Sequence, residues 1–217
     1  MEHYKYHFTN KSFLISFFTG FFLLGGSLFT QFMASNYATR TASDSVTDIV
    51  LSNIRVYEVD GIFVWGAVVL LIMGVFVCVR RINYMPFAMK SVALFTFTRS
   101  IFVTLTHISP FPTRVLISSD FFRDTMFNGI FNGNDLFFSG HTGLPFLLAL
   151  IFWENKKLRF LFLGFSVLFA VVVLLGHLHY SIDVFAAYFI TYTIFHICKF
   201  LFKKDWQLFL QNKEEKM

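Results

Sequence analysis

The sequence predicts an all-α, polytopic membrane protein, a bundle of six transmembrane helices with its chemically interesting residues at the outer side. Three observations carry that expectation. The chain is 56% hydrophobic and 14% charged, with 33 phenylalanines among 217 residues, whereas a soluble domain averages about 25% charged. The apolar residues gather into long runs separated by short polar segments, which is the pattern of successive bilayer crossings. The basic residues alternate in density from one connecting segment to the next. No internal repeat, low-complexity tract or linker divides residues 1–217, so a single membrane domain is expected.

The spans follow in order. A polar start with Lys5 and Lys11 leads into a first run over about 12–34, long enough at 1.5 Å per residue to cross a bilayer core. It is longer than a signal-peptide h-region, and five more runs follow it. A polar loop with Asp44, Asp48, Arg55, Glu58 and Asp60 precedes the second run, 61–79, which stops at Arg80-Arg81. The third covers 87–109 and is interrupted by Arg99. The longest loop then opens with Pro110-Phe111-Pro112. The fourth run, 139–153, is short. It ends in Glu154-Asn155-Lys156-Lys157-Leu158-Arg159, after which come the fifth, 160–175, and the sixth, 180–202, closed by Lys203-Lys204. Cys78 and Cys198 each fall inside an apolar run, as buried thiols do.

Orientation follows from the Lys/Arg distribution. With the N-terminus in the cytoplasm, the inner segments hold Lys5, Lys11, Arg80, Arg81, Lys90, Lys156, Lys157, Arg159, Lys199, Lys203, Lys204, Lys213 and Lys216. The outer segments hold only Arg40, Arg55, Arg114 and Arg123. Both termini are therefore expected in the cytoplasm. The same placement accounts for the formal net charge of +5 without nucleic acid as a partner.

Two polar clusters then fall on the outer side. One is Gly176-His177-Leu178-His179-Tyr180-Ser181-Ile182-Asp183, in which His179 and Asp183 share a helix face at i, i+4 spacing. A carboxylate so placed fixes the imidazole tautomer and leaves the second nitrogen free to act. A polar turn at the membrane surface, with Asp183 at a helix N-terminus, accounts for the same residues. The other cluster runs Gly133-Asn134-Asp135-Leu136-Phe137-Phe138-Ser139-Gly140-His141-Thr142 at the mouth of the fourth helix. Helix-start amides with Ser139 and Thr142 suit an anion such as phosphate, although Ser139 is also an ordinary N-cap type. Arg99 costs about 2.5–3.5 kcal/mol to insert, so it is expected to face a cavity or a partner. Counted back from Ser109, it lies roughly 15 Å deep, which is far from a surface phosphate.

At Ser139-Gly140-His141-Thr142, His179-Tyr180-Ser181-Ile182-Asp183-Val184 and Ala187-Tyr188 the sequence resembles the sphingomyelin synthase family. That family is a branch of the type 2 phosphatidic acid phosphatase superfamily. Arg99 with Pro110-Phe111-Pro112, Asp135, and Glu58 ahead of Gly61 extend the likeness over roughly residues 44–200. The resemblance implies His179 as nucleophile, Asp183 as its orienting carboxylate and His141 as the acid and then base. It also implies a substrate-binding shell of Arg99, Asp135, Ser139, Gly140, Glu58, His177 and Tyr180. The implied reaction moves a phospho-head group from a glycerophospholipid to a lipid alcohol such as ceramide, through a phosphohistidine. Hydrolysis by a lipid phosphatase or phospholipase C-type enzyme would use the same residues, and a non-catalytic lipid transporter is a third reading. No metal or other cofactor is required by that chemistry. The implied partners are membrane lipids, with the protein alone or as an oligomer. The implied setting is a bacterial inner membrane or a eukaryotic Golgi or plasma membrane. The chain departs from the family pattern at Gly133-Asn134, where the family has Cys-Gly. Val172-Val173 stand where the wider superfamily has Ser-Arg.

Overall fold

A computed structural model describes residues 10–116 and 135–207. These residues are all-helical apart from turns and extended connections. The helices are α1 (Lys11–Arg40), α2 (Asp60–Arg80), α3 (Met85–Leu105), α4 (Gly140–Ile151), α5 (Lys156–Leu175) and α6 (Ser181–Leu201), with a 3₁₀ turn at Ile82–Tyr84. Five of them, α1, α2, α3 (with the 3₁₀ turn before it), α5 and α6, are long and apolar enough to cross a membrane. The protein is therefore a polytopic membrane protein.

Local chemistry explains most of the helix starts. The Asn10 side chain accepts the amides of Ser12 and Phe13, Asn155 accepts that of Leu158, and Ser139 accepts that of Thr142. Each satisfies an amide that a helix start leaves without an intrahelical acceptor. Pro86 stands in the first turn of α3, where its missing N–H costs nothing. Large apolar side chains such as Phe22, Leu71, Phe189 and Phe200 are exposed on the outside of the bundle. In water that would be a liability, but next to acyl chains it is the expected surface. Inside, small polar residues (Ser91, Ser166, Thr191) are buried where helices approach closely, and the Ser166 hydroxyl donates to the Thr142 carbonyl.

Helix bounds differ from the sequence reading at α1, which runs to Arg40 and not 34, and at α5, which starts at Lys156 and not 160, and two further differences bear on the site. The third span ends at Leu105, not at 109. Residues 106–109 leave the helix and pair with the loop after α1: Ser43 N donates to His107 O at 2.7 Å, and Ser109 N to Asp44 O at 3.4 Å. Pro110 favours this extended path for Ser109. Arg99 therefore sits only six residues, about 9 Å by helix rise, below the end of α3. The expected 139–153 span is a helix of 12 residues, about 18 Å long, against a hydrocarbon core of about 30 Å. The two differences meet at Arg99, whose guanidinium binds the non-helical residues 135–138 that lead into α4.

Among the described residues, the connections that carry histidines lie at one end of the bundle, the histidine end. Loops 41–59, 106–116, 135–139 and 176–180 are stitched together there. Tyr57 N donates to Leu175 O at 2.9 Å and Val115 N to Gly176 O at 3.0 Å, while the Tyr180 hydroxyl donates to Ser109 O at 2.8 Å. Leu51, Leu136 and Tyr180 form a small apolar core beneath them. The opposite, lysine end carries Arg80, Arg81, Lys156, Lys157, Arg159, Lys203 and Lys204.

Candidate active site

The turn between α5 and α6 is tight because its backbone allows nothing else. A Cβ on Gly176 would meet Val59 Cγ2 at 2.5 Å, so only glycine fits, and His177 adopts a left-handed φ of 51°. Leu178 N donates to Val173 O at 2.8 Å, folding the chain back so that His179 lies two residues before α6, outside the helix on which the i, i+4 spacing predicts it. His179 Nδ1 then lies 3.3 Å from Asp183 Oδ2, with His179 7% and Asp183 2% exposed. An ionised carboxylate only accepts, so Nδ1 carries a proton, and in the neutral imidazole Nε2 is then the nitrogen with the lone pair. The same Oδ2 accepts the Tyr180 amide at 2.9 Å.

The other cluster is tied directly to this one. Ser139 N donates to the Asp183 carbonyl at 3.1 Å, joining the cap of α4 to the first turn of α6. Ser139 is fully buried and its hydroxyl accepts the Thr142 amide at 3.4 Å. His141, in the first turn of α4, packs on Phe63 with ring centroids 4.1 Å apart and on Phe169 at 5.8 Å. It lies within electrostatic reach of both His179 and Arg99. The structure thus gathers His141, His179, Asp183, Ser139 and Arg99 in one place.

Arg99 is a clamp on the chain that leads into α4. Nε donates to Phe138 O at 2.9 Å, one terminal nitrogen to Asp135 Oδ2 at 2.7 Å, and the other to Asp135 O at 2.5 Å. Asp135 also accepts from Gln31 at 3.2 Å, and Gln31 in turn accepts from Ser100 at 3.1 Å. Gly140 leaves room for this: a Cβ there would come within 3.2 Å of Arg99 Nε. Non-helical backbone within the membrane requires satisfied carbonyls, and the planar guanidinium fork supplies the donors.

The remaining sequence-predicted residues lie at the margin. His177 is 3% exposed, with Nδ1 2.6 Å from the Thr113 hydroxyl and its ring against Phe111. Burial lowers the pKa of His177, opposed by the Ile54 backbone and by Asp48. The buried Tyr180 hydroxyl is shared between Ser109 O and the Val46 amide. Glu58 is exposed, between Tyr57, whose amide donates to Leu175 O, and Val59, which lies against Gly176. Gly133, Asn134 and Arg123 lie outside the described residues.

Two charged residues of the site region had no distinguishing signal beyond lying in polar outer loops. Asp48 is 7% exposed and accepts three backbone amides, Val50 at 2.8 Å, Leu51 at 3.0 Å and Ser181 at 2.7 Å. Burial opposes its charge, yet the amides of Leu51, Ser181 and Val50 outweigh it, and the carboxyl is held below its ordinary value. Arg114 is flanked by Thr113 and Val115, which bind the 176–177 turn, and it interacts electrostatically with Asp135. Burial lowers the Arg114 pKa and Asp135 opposes that.

Residues 132–200, a stretch that contains both histidine clusters, match the family model described as PAP2 superfamily C-terminal. That superfamily comprises membrane enzymes of the lipid phosphatase and phosphotransferase type. No curated protein and no solved structure matches the chain.

Proposed function

Because residues 132–200 match the family model described as PAP2 superfamily C-terminal, we propose that this protein is a sphingomyelin synthase-like lipid phosphotransferase. It transfers a phospho-head group from a glycerophospholipid to a lipid alcohol such as ceramide. The observation that supports this most is the Ser139 amide bonded to the Asp183 carbonyl. That contact seats His141 beside a His179 whose Nδ1 is already engaged by Asp183.

The first step forms a bond from His179 Nε2 to phosphorus while the phosphorus–oxygen bond to the diacylglycerol breaks. His141 gives its proton to the departing alkoxide, and Asp183 stabilises the imidazolium that results. In the second step the acceptor's primary hydroxyl gives its proton to His141, its oxygen attacks phosphorus, and the electron pair of the P–N bond returns to His179. Arg99 contributes by holding Asp135 and Phe138, and so the mouth of α4, in place. The reaction side is the outer face of the membrane and both termini are cytoplasmic, in keeping with the basic residues crowded at the lysine end.

The test is incubation of purified protein with head-group-labelled phosphatidylcholine or phosphatidylethanolamine, with and without ceramide. The expected result is label on ceramide that depends on His179 and Asp183. Water-soluble phospho-head group in place of labelled ceramide would reassign the protein as a hydrolase. With an activated nitrophenyl donor, His141→Ala is expected to form the phosphohistidine but transfer it slowly. His179→Ala is expected to form none.

A further inference from the structure

We propose that Asp48, in the loop between α1 and α2, is a positioning residue that holds the His179–Asp183 pair in register. The proposal rests on the phosphotransfer reading above.

The argument starts at the first turn of α6. Ser181 is its first helical residue, and such an amide has no acceptor within its own helix. A cap side chain serves the second or third amide of a helix, so this first one needs an acceptor from outside it. The cap residue is Tyr180, whose hydroxyl is committed to Ser109 and Val46. Asp183 takes the Tyr180 amide, and Asp48, 133 residues earlier in the chain, takes the Ser181 amide at 2.7 Å.

The division matters because Asp183 Oδ2 is already shared between the Tyr180 amide at 2.9 Å and His179 Nδ1 at 3.3 Å. Without Asp48, the Asp183 carboxylate on the same turn becomes an alternative acceptor for the Ser181 amide. A third donor on that carboxylate would draw it off the imidazole, whose contact is already the longer of the two. Asp48 prevents this by satisfying Ser181 first.

Its own position is fixed from three sides. Oδ1 accepts Val50 and Leu51, the backbone carbonyl accepts Ser52 at 2.9 Å, and Leu51 packs into the small core with Tyr180 and Leu136. Such a carboxylate is a rigid peg, and its charge at the start of α6 also suits the helix dipole.

Asp48→Asn separates the roles. The asparagine oxygen can keep the Val50 and Leu51 amides, but the other side-chain position becomes an NH₂ facing the Ser181 N–H, donor against donor. Hydrogen exchange of the Ser181 amide in detergent-solubilised protein is expected to be slow in the unmodified chain and fast in the variant. The ¹⁵N resonance of His179 Nδ1 is expected to shift. Turnover of the activated donor is expected to fall about tenfold in kcat with KM within about twofold, the pattern of a disturbed reacting group and not of lost binding.

Asp48→Ser, which keeps a loop-capping hydroxyl but cannot reach Ser181, is expected to behave alike and covers the case in which the asparagine variant does not fold. A Ser181 amide that exchanges freely in the unmodified chain overturns the proposal. So does an unchanged His179 signal and kcat in a folded variant. Absence of transfer by every form would defeat the phosphotransfer reading alone, because the exchange and ¹⁵N measurements decide the role of Asp48 without turnover.

Discussion

Helix α3 carries two buried cations nine residues apart, and they do different work. Lys90, at the lysine end, is 8% exposed and donates to Asp205 Oδ2 at 2.6 Å and to the Ser16 hydroxyl at 2.6 Å. Ser16 also donates to Asp205, closing a ring of three side chains. Arg99, equally buried, holds one carboxylate oxygen and two backbone carbonyls. A compact ammonium binding side chains staples α1 and α3 to the segment after α6. A planar fork binding carbonyls dictates the path of the backbone, and that path ends at His141. Both ends therefore contain a desolvated ion pair, but only the Arg99 pair gives shape to the site. The lesson is that a charge in a membrane span is read by the kind of acceptor it meets, not by its depth.

The widest test asks whether the two ends face opposite sides of the membrane at all. Single cysteines introduced at Asn53 and at Lys156, both exposed positions, are expected to react with an impermeant reagent from opposite sides. Labelling of both from one side would overturn the assignment of the histidine end to the outer face.

Removing one partner sharpens the contrast. Lys90→Met leaves Asp205 buried without its cation and is expected to cost about 3–5 kcal/mol of stability, with kcat per folded molecule unchanged. Arg99→Lys keeps the charge but loses the fork. It is expected to lower kcat about 100-fold through misplacement of the α4 mouth, with a smaller change in thermal midpoint. Thermal unfolding in detergent, paired with activity on the folded fraction, separates the two. Equal loss of activity at both positions would erase the distinction.

The smallest expected effect is a pH dependence confined to the histidine end. His177 has a lowered pKa in the folded protein because it is buried, whereas the unfolded chain titrates near the ordinary value of about 6.5. As pH falls below that value the unfolded state takes up the proton first, so stability declines from about pH 6.5 toward the lowered folded value. Above the ordinary value this contribution is flat. His177→Asn, which tolerates the left-handed backbone, is expected to remove the decline, measured as the thermal midpoint at pH 5 and pH 7.5.

Much of the architecture was legible without coordinates. Five long helices coincide with apolar runs, because insertion is decided by the hydropathy of a contiguous stretch. The His179–Asp183 spacing was legible too, but His179 lies before the cap of α6, so the contact is made across the α5–α6 turn and not along a helix face. Ser139 announced its helix by residue type. The end of α3 was less legible, because Thr106–Ser109 leave the helix for partners in the loop after α1, far away in sequence.

The sequence by itself determined which stretches enter the membrane, which end gathers the positive charge, and which histidine has a carboxylate four residues on. Those properties depend on residues close together in the chain. Tertiary structure alone decided that Arg99 grips residues 135–138, that the turn before α6 brings His179 onto Asp183, and that Asp48 satisfies the first amide of α6. The physical reason is the same in each case. A buried donor must find an acceptor, but which acceptor it finds depends on how separate helices stack, and no local pattern of polarity records that.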